Sequence, residues 1–268
     1  MKKALCYLVI SYFFSMNLYA ITLGVVPQQS PLKLMKVWAP IAQYLKKETG
    51  IDVTLKIESS ITKFERVLYS GGYDIAYMNP YHYVVAHKKK GYLAKVKAHK
   101  NIVGILVTRK DSAIQTTQDC KNKIFLFPAP NAFAATLVTK YELLKFFNIE
   151  LNEEKKFLYV NSHDSVYKGV ARGIGDVGGG IERTFENLND KVTKNSLNIL
   201  YKTKGYPSHP FAFKPSLKEE TIKKMSKAIL NMPNGLLNKL SIKKMIKTDD
   251  SQYNIIRDIA TKLKMDKN

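Results

Sequence analysis

Between residues 21 and 90 the chain switches three times from a short apolar or β-branched run to a segment of helical periodicity, and between residues 123 and 188 it does so again. Alternation of this kind commits a chain to α/β architecture, each strand being covered by the helix that follows it. In the first series, residues 21–26 read as a strand stopped by Pro27. Leu34, Trp38, Ile41 and Leu45 then fall at helical spacing, and residues 53–57 form a second strand. Residues 62–69 make a second helix closing at Gly71-Gly72, residues 74–78 a third strand, and Asn79-Pro80 opens a helix reaching Lys90. Pro40 should kink or restart the first helix, because it has no N–H to give the preceding turn.

Two near-continuous apolar segments, 93–98 and 102–108, separate this series from the next. The second series reads as strand 123–127, a long helix 131–147, strand 157–160, helix 164–172, a short strand 176–178 and a short helix 181–188. A strand at 198–201 follows, and the remainder reads as helical. Leu217, Ile222, Met225 and Ile229 form one apolar face, and Ile256, Ile259 and Leu263 another. No Pro/Gly/Ser linker divides the two series, so the expectation is two lobes sharing crossing strands. Residues 21–103 with 203–268 would make lobe 1, and 104–202 lobe 2.

In open α/β sheets ligands sit at the carboxyl ends of strands. Here those ends carry Gln28-Gln29-Ser30, Glu58-Ser59-Ser60, Asn79-Pro80-Tyr81-His82, Pro130-Asn131, Ser162-His163-Asp164 and Glu182. Several open a helix, where unpaired N–H groups and the helix dipole favour an anion.

The N-terminus reads as an address. Lys2 and Lys3 precede an apolar run over residues 4–18, and Ala20 is a small residue at a cleavage point, although Leu18 departs from the A-x-A pattern. Residues 1–20 are therefore expected to be a signal peptide, with an uncleaved anchor as the alternative, and the protein to be periplasmic. Cleavage would remove two lysines and Cys6. Cys120 would then be a lone thiol, read as packed rather than nucleophilic.

The formal net charge of +21 admits nucleic acid, an acidic surface or an anionic solute. The lysines are spread over every helix, without RNP-type aromatics or a basic arm, and export argues against nucleic acid. Lys88-Lys89-Lys90 closes a helix, where cations suit the dipole. The five histidines form no metal-binding spacing, and no H-E-x-x-H or C-x-x-C is present. Gly173-x-Gly175-x-x-Gly178 matches the dinucleotide fingerprint but follows a helix and contains a strand, so these glycines read as sites of close packing. Ser162-His163-Asp164 holds the triad residue types consecutively, and adjacent side chains diverge. The segment reads either as a helix start capped by Ser162 or as a face presenting His163 to an oxyanion.

The run Gly24-Val25-Val26-Pro27-Gln28-Gln29-Ser30-Pro31, with Trp38-x-Pro40 and Tyr44-Leu45, resembles the start of the phosphate/phosphite/phosphonate-type (PhnD-like) substrate-binding proteins of ABC transporters. Tyr73-Asp74-Ile75-Ala76-Tyr77-Met78-Asn79-Pro80-Tyr81-His82-Tyr83 is similar to that group too. So are Ser162-His163-Asp164-Ser165 and Gly173 with Asp176-Val177-Gly178, and the likeness runs in the same order over residues 21–217. The resemblance implies an α/β, two-lobed type II periplasmic binding protein fold. Each lobe would be a mostly parallel sheet flanked by helices, with two crossing strands between them. It implies a ligand closed between the lobes, with no catalysis, no cofactor and no metal.

His163 stands at the family's ligand histidine and Glu182 at its acidic neighbour. Asn79, Tyr81 and His82 would line the first lobe, Asn131, Ala132, Phe133, His163 and Glu182 the second, with His209 at the return crossing. Where phosphonate binders carry Ser-Thr-Ser-Gly, this chain has Ala132-Phe133-Ala134-Ala135, leaving backbone amides and Asn131 as donors. The carboxylate expected to meet a ligand amine falls near Ser208-His209, which argues against an aminophosphonate. The expected function is capture of a small anionic solute by a monomer that delivers it to an inner-membrane ABC permease. A sensory protein presenting its closed form to a membrane histidine kinase is the alternative. An exported enzyme using His163 with Asp164 or Glu182 is a third reading, and it finds no placed nucleophile.

Overall fold

The computed structural model describes residues 20–151 and 157–265. The expected signal peptide, apart from Ala20, lies outside them. The first half of the chain runs β1 (Ile21–Val25), α1 (Pro31–Thr49), β2 (Val53–Ile57), α2 (Ile61–Ser70), β3 (Ile75–Tyr77), α3 (Pro80–Lys90), β4 (Leu93–Ala98) and β5 (Ile102–Arg109). It continues through β6 (Phe125–Phe127), a π-helical segment (Phe133–Val138), α4 (Thr139–Phe147), β7 (Phe157–Tyr159), α5 (His163–Ala171), β8 (Val177–Ile181), α6 (Glu182–Glu186) and α7 (Lys191–Asn195). The chain then forms β9 (Leu197–Tyr206), β10 (Pro210–Phe213), α8 (Glu219–Leu230), α9 (Asn234–Lys239), β11 (Met245–Lys247) and α10 (Asn254–Lys262).

Two sheets result. One has the order β11-β4-β10-β3-β1-β2 and the other β7-β6-β8-β5-β9. The chain passes from the first sheet to the second between β4 and β5 and returns between β9 and β10, so two crossings join the lobes. Both sheets are mixed rather than mostly parallel. β2, β1 and β3 run parallel, as do β7, β6 and β8, because helical crossovers connect them. Next to the crossings, β10 pairs antiparallel with β3 and β4, and β5 pairs antiparallel with β8 and β9.

The tail departs from an all-helical reading. β9 spans ten residues, and β10 lies inside the first sheet with all four of its residues buried. Pro210 is tolerated there because it is the first residue of its strand, and its carbonyl still accepts from the Met78 N–H at 3.2 Å. Pro40 does not break α1. Lys36, whose carbonyl it leaves unpaired, is exposed, so that carbonyl lies toward the water side of the helix.

The expected long helix at 131–147 is instead a π-helical turn leading into α4. The Thr139 hydroxyl donates to the Ala135 carbonyl at 2.8 Å, bonding back onto the preceding turn. The first carbonyls of the segment press on the second sheet so closely that only glycine fits beneath them. A Cβ on Gly104 would stand 2.2 Å from the Ala134 oxygen, and one on Gly179 would stand 2.1 Å from that of Ala135. Gly175 and Gly178 serve the same end, packing against Leu126 and against Val166 and Val170. Cys120 is fully buried, and burial pushes its thiol up to about 12, away from reactivity at neutral pH.

Candidate ligand site between the lobes

The strand ends of both sheets meet across a narrow cleft. Val26 and Gln28 follow β1, Asn79 follows β3, Phe133 to Ala135 open the π-helical segment, His163 begins α5, and Ile181 ends β8. With Ile61, Ala132 and His209 they enclose a void of about 10 Å³, so the lobes are in a closed arrangement.

Donors dominate this void. The π-helical segment has no side-chain cap, and its first intrahelical bond is Thr136 N–H to the Ala132 carbonyl at 2.8 Å. The N–H groups of Phe133, Ala134 and Ala135 precede that bond and lack an intrahelical acceptor. His163 is buried, with Nδ1 unpartnered among the described residues. Burial pulls its pKa down to about 4, Arg183 adding to the effect and Asp164 opposing it, so the ring is neutral at neutral pH. His209 is also buried, and burial, with Arg183, His82 and His163 acting in the same direction, holds its pKa well below the ordinary value. The Gln28 side-chain amide donates to His209 Nε2 at 3.1 Å, which places the ring proton on Nδ1, an atom without an acceptor. The His209 ring stacks on Tyr77 at 5.3 Å, and Tyr77 packs on Trp38 at 4.8 Å, so two aromatic side chains in series fix its position.

Local sequence explains how His163 gets there. Ser162 caps α5, its hydroxyl accepting from the Ser165 N–H at 3.1 Å, and His163 is thus the first helical residue, turned inward. Asp164 turns outward and pairs with Lys33 of α1 at 2.6 Å, an ion pair from lobe to lobe. The capped helix start thus also presents an imidazole to the cleft.

The cleft brings together Asn79, Ala132, Phe133, His163 and His209, and the other four candidate residues stand off the void. His82 is wholly buried in lobe 1, where its Nε2 donates to Glu65 Oε1 at 2.9 Å. Asn131 holds the lobes together: its side chain donates to Glu65 at 3.0 Å, and its carbonyl accepts from Asn79 Nδ2 at 3.0 Å. Tyr81 lines a separate groove beside α3 and α10. Glu182 is ion-paired with Lys202 at 2.6 Å and faces a cavity beside the crossings. Gln28, Glu65 and Arg183 were not singled out by sequence reasoning. Gln28 at a strand end carried a signal; Glu65, in the middle of α2, carried none. Among the described residues no cluster of metal-ligating side chains occurs, and no helix is long and apolar enough to cross a membrane.

Comparison with known proteins agrees with this architecture. The family model described as "ABC transporter, phosphonate, periplasmic substrate-binding protein" matches residues 23–253. The chain is similar to PhnD1 of Prochlorococcus marinus in complex with methylphosphonate, with 20% identity and a TM-score of 0.86, over 92% of this chain and 99% of that one. It is also similar to a binding protein component of an ABC phosphonate transporter from Pseudomonas aeruginosa, at 20% identity and a TM-score of 0.82, over 90% and 85% of the two chains. A histidine kinase sensor domain with similarity to periplasmic binding proteins shares the fold more distantly, at 12% identity and a TM-score of 0.56, over 89% and 94%.

Proposed function

This chain belongs to the phosphonate periplasmic substrate-binding proteins of ABC transporters, and from that premise we propose that it captures a small phosphonate-type oxyanion between its lobes. The observation that supports this most is the convergence on one void of the Phe133–Ala135 amides and two neutral, incompletely bonded imidazoles. Uncharged donors fixed in a desolvated cleft bind an oxyanion without the cost of burying a second ion. They replace the hydroxyls that Ala132-Phe133-Ala134-Ala135 lacks.

Binding works by closure. A ligand that touches His163 and the amides on one lobe and Gln28 and His209 on the other makes its full set of contacts only when the lobes are shut, and so shifts the open–closed equilibrium. The closed form is then the state a partner recognises. In this reading the partner is an inner-membrane ABC permease, and the chain is an exported, signal-processed monomer that acts without catalysis. A sensory role, with the closed form read by a membrane kinase, draws on the likeness to a kinase sensor domain. A permease gene or a kinase gene beside this one would separate the two.

The test is a thermal-shift panel on the chain beginning at Ile21, with phosphate, phosphite, methylphosphonate and sulfonates. A rise in midpoint with a phosphorus oxyanion supports the reading. Silence across the phosphorus compounds with a rise for another solute would show that the fold serves a different ligand.

A further inference from the structure

A second cavity adjoins the interlobe void at His209. His209 and Ile181 also line this cavity, of about 300 Å³ beside the two crossings, bounded by residues 98–103, 181–183, 186–187, 208–209 and 241–243. Besides the buried His209, four cationic or potentially cationic side chains border this cavity: His99, Lys100, Arg183 and Lys243. Of its two acids, Glu182 is already engaged by Lys202 at 2.6 Å. Arg183 is half-buried, and its guanidinium makes no hydrogen bond or ion pair with any described residue. It also borders a further small cavity between α1 and α6 that shares Val26 and Gln28 with the interlobe void. The backbone before it is held in place, because the Ile181 N–H donates to the Tyr167 hydroxyl at 3.2 Å and the Thr184 hydroxyl donates to the Ile181 carbonyl at 2.8 Å. An unpaired guanidinium on a fixed turn, facing a cavity separated from the binding void only by the shared His209 and Ile181 side chains, is a second anion seat.

We infer that the ligand has two anionic ends, a phosphonate seated on the Phe133–Ala135 amides and His163, and a carboxylate or second oxyanion reaching past His209 to Arg183. A phosphonocarboxylate is the chemical class that fits. The inference rests on the phosphonate-type reading above and narrows it.

The experiment compares methylphosphonate, phosphonoacetate and 2-aminoethylphosphonate by calorimetric titration into the chain beginning at Ile21. Phosphonoacetate should bind at least fivefold more tightly than methylphosphonate, and Arg183→Ala should cut that preference to less than twofold. Arg183→Lys, which keeps the charge, should retain part of it. A wild-type preference below fivefold, tighter binding of the aminophosphonate, or a preference that survives Arg183→Ala overturns the inference. Methylphosphonate separates the two levels. If it binds without a preference, only the second seat fails; if no phosphonate binds at all, the functional reading fails and this inference with it.

Discussion

The side-chain amide of Asn131, in the second lobe, donates to Glu65 Oε1 in α2 of the first lobe at 3.0 Å, closing a polar link between the lobes. Burial opposes ionisation of Glu65, but hydrogen bonds from His82 and Asn131 outweigh it and hold the carboxyl below its ordinary range. The link is charged and half-buried, and neither Glu65 nor Asn131 lines the void, which makes it a clasp for the closed form rather than a ligand contact.

Glu65→Gln should therefore weaken ligand binding without touching the ligand. A hydrogen bond to a charged group contributes about 1.5–3 kcal/mol, so affinity for methylphosphonate should fall by about tenfold to a hundredfold. Because the Glu65 pKa is depressed on folding, its contribution is present above the ordinary carboxylate range and lost as pH falls through the folded value. Titration calorimetry of the variant checks this, and unchanged affinity would remove the clasp.

The second bridge between the lobes should matter less. Lys33 and Asp164 are 40% and 22% exposed, and exposed pairs contribute about 0–1 kcal/mol. Lys33→Ala should lower affinity by no more than about fivefold, and the loss should shrink in high salt as screening removes what little the pair supplies. A larger, salt-insensitive loss would mean that Lys33 contacts the ligand.

His163 makes stability depend on pH. It is buried neutral with a pKa of about 4, below the ordinary value, so below that ordinary value the unfolded chain binds the extra proton. Stability should hold above about pH 6.5 and fall toward pH 4, this residue accounting for about 3 kcal/mol across the window. Urea denaturation of wild type and His163→Asn at several pH values would show the difference as a change in slope. Parallel curves would place the ring in water.

Gly104 and Gly179 should accept no side chain. A Cβ at either position stands about 2.2 Å or less from a carbonyl of the π-helical segment, which is backbone and cannot swing aside. Alanine at Gly179 should destabilise the protein by about 1–3 kcal/mol or more, as overpacking does, and should weaken ligand binding through displacement of the Phe133–Ala135 amides. Thermal denaturation with a parallel titration checks both effects.

Much of this was legible in the sequence because alternation and capping are local. Asn79 caps α3 and Ser162 caps α5 where their residue types suggest, and Leu34, Trp38, Ile41 and Leu45 are all buried along α1. β10 is not legible because a four-residue strand beginning at Pro210 is too short to show a period, although Phe211 and Phe213 favour strands, and its place is set by β3 and β4 on either side. The same holds at the site. His163 could be read from a strand end and His209 from the family resemblance, whereas Glu65 gains its role from Asn131 across the lobes and Arg183 from the cavity it borders. Residue type also misled at Glu182, which an acid-seeking ligand would need, because Lys202 on β9 occupies its carboxylate.

The central claim is that His163 and the amides opposite Gln28 and His209 bind a phosphonate in the closed cleft. Calorimetric titration of methylphosphonate into wild type and His163→Ala tests it most directly. Saturable one-to-one binding in wild type, weakened at least tenfold in a variant that still unfolds cooperatively, is the predicted result. Binding of equal strength in both proteins, or no binding in either, would contradict it.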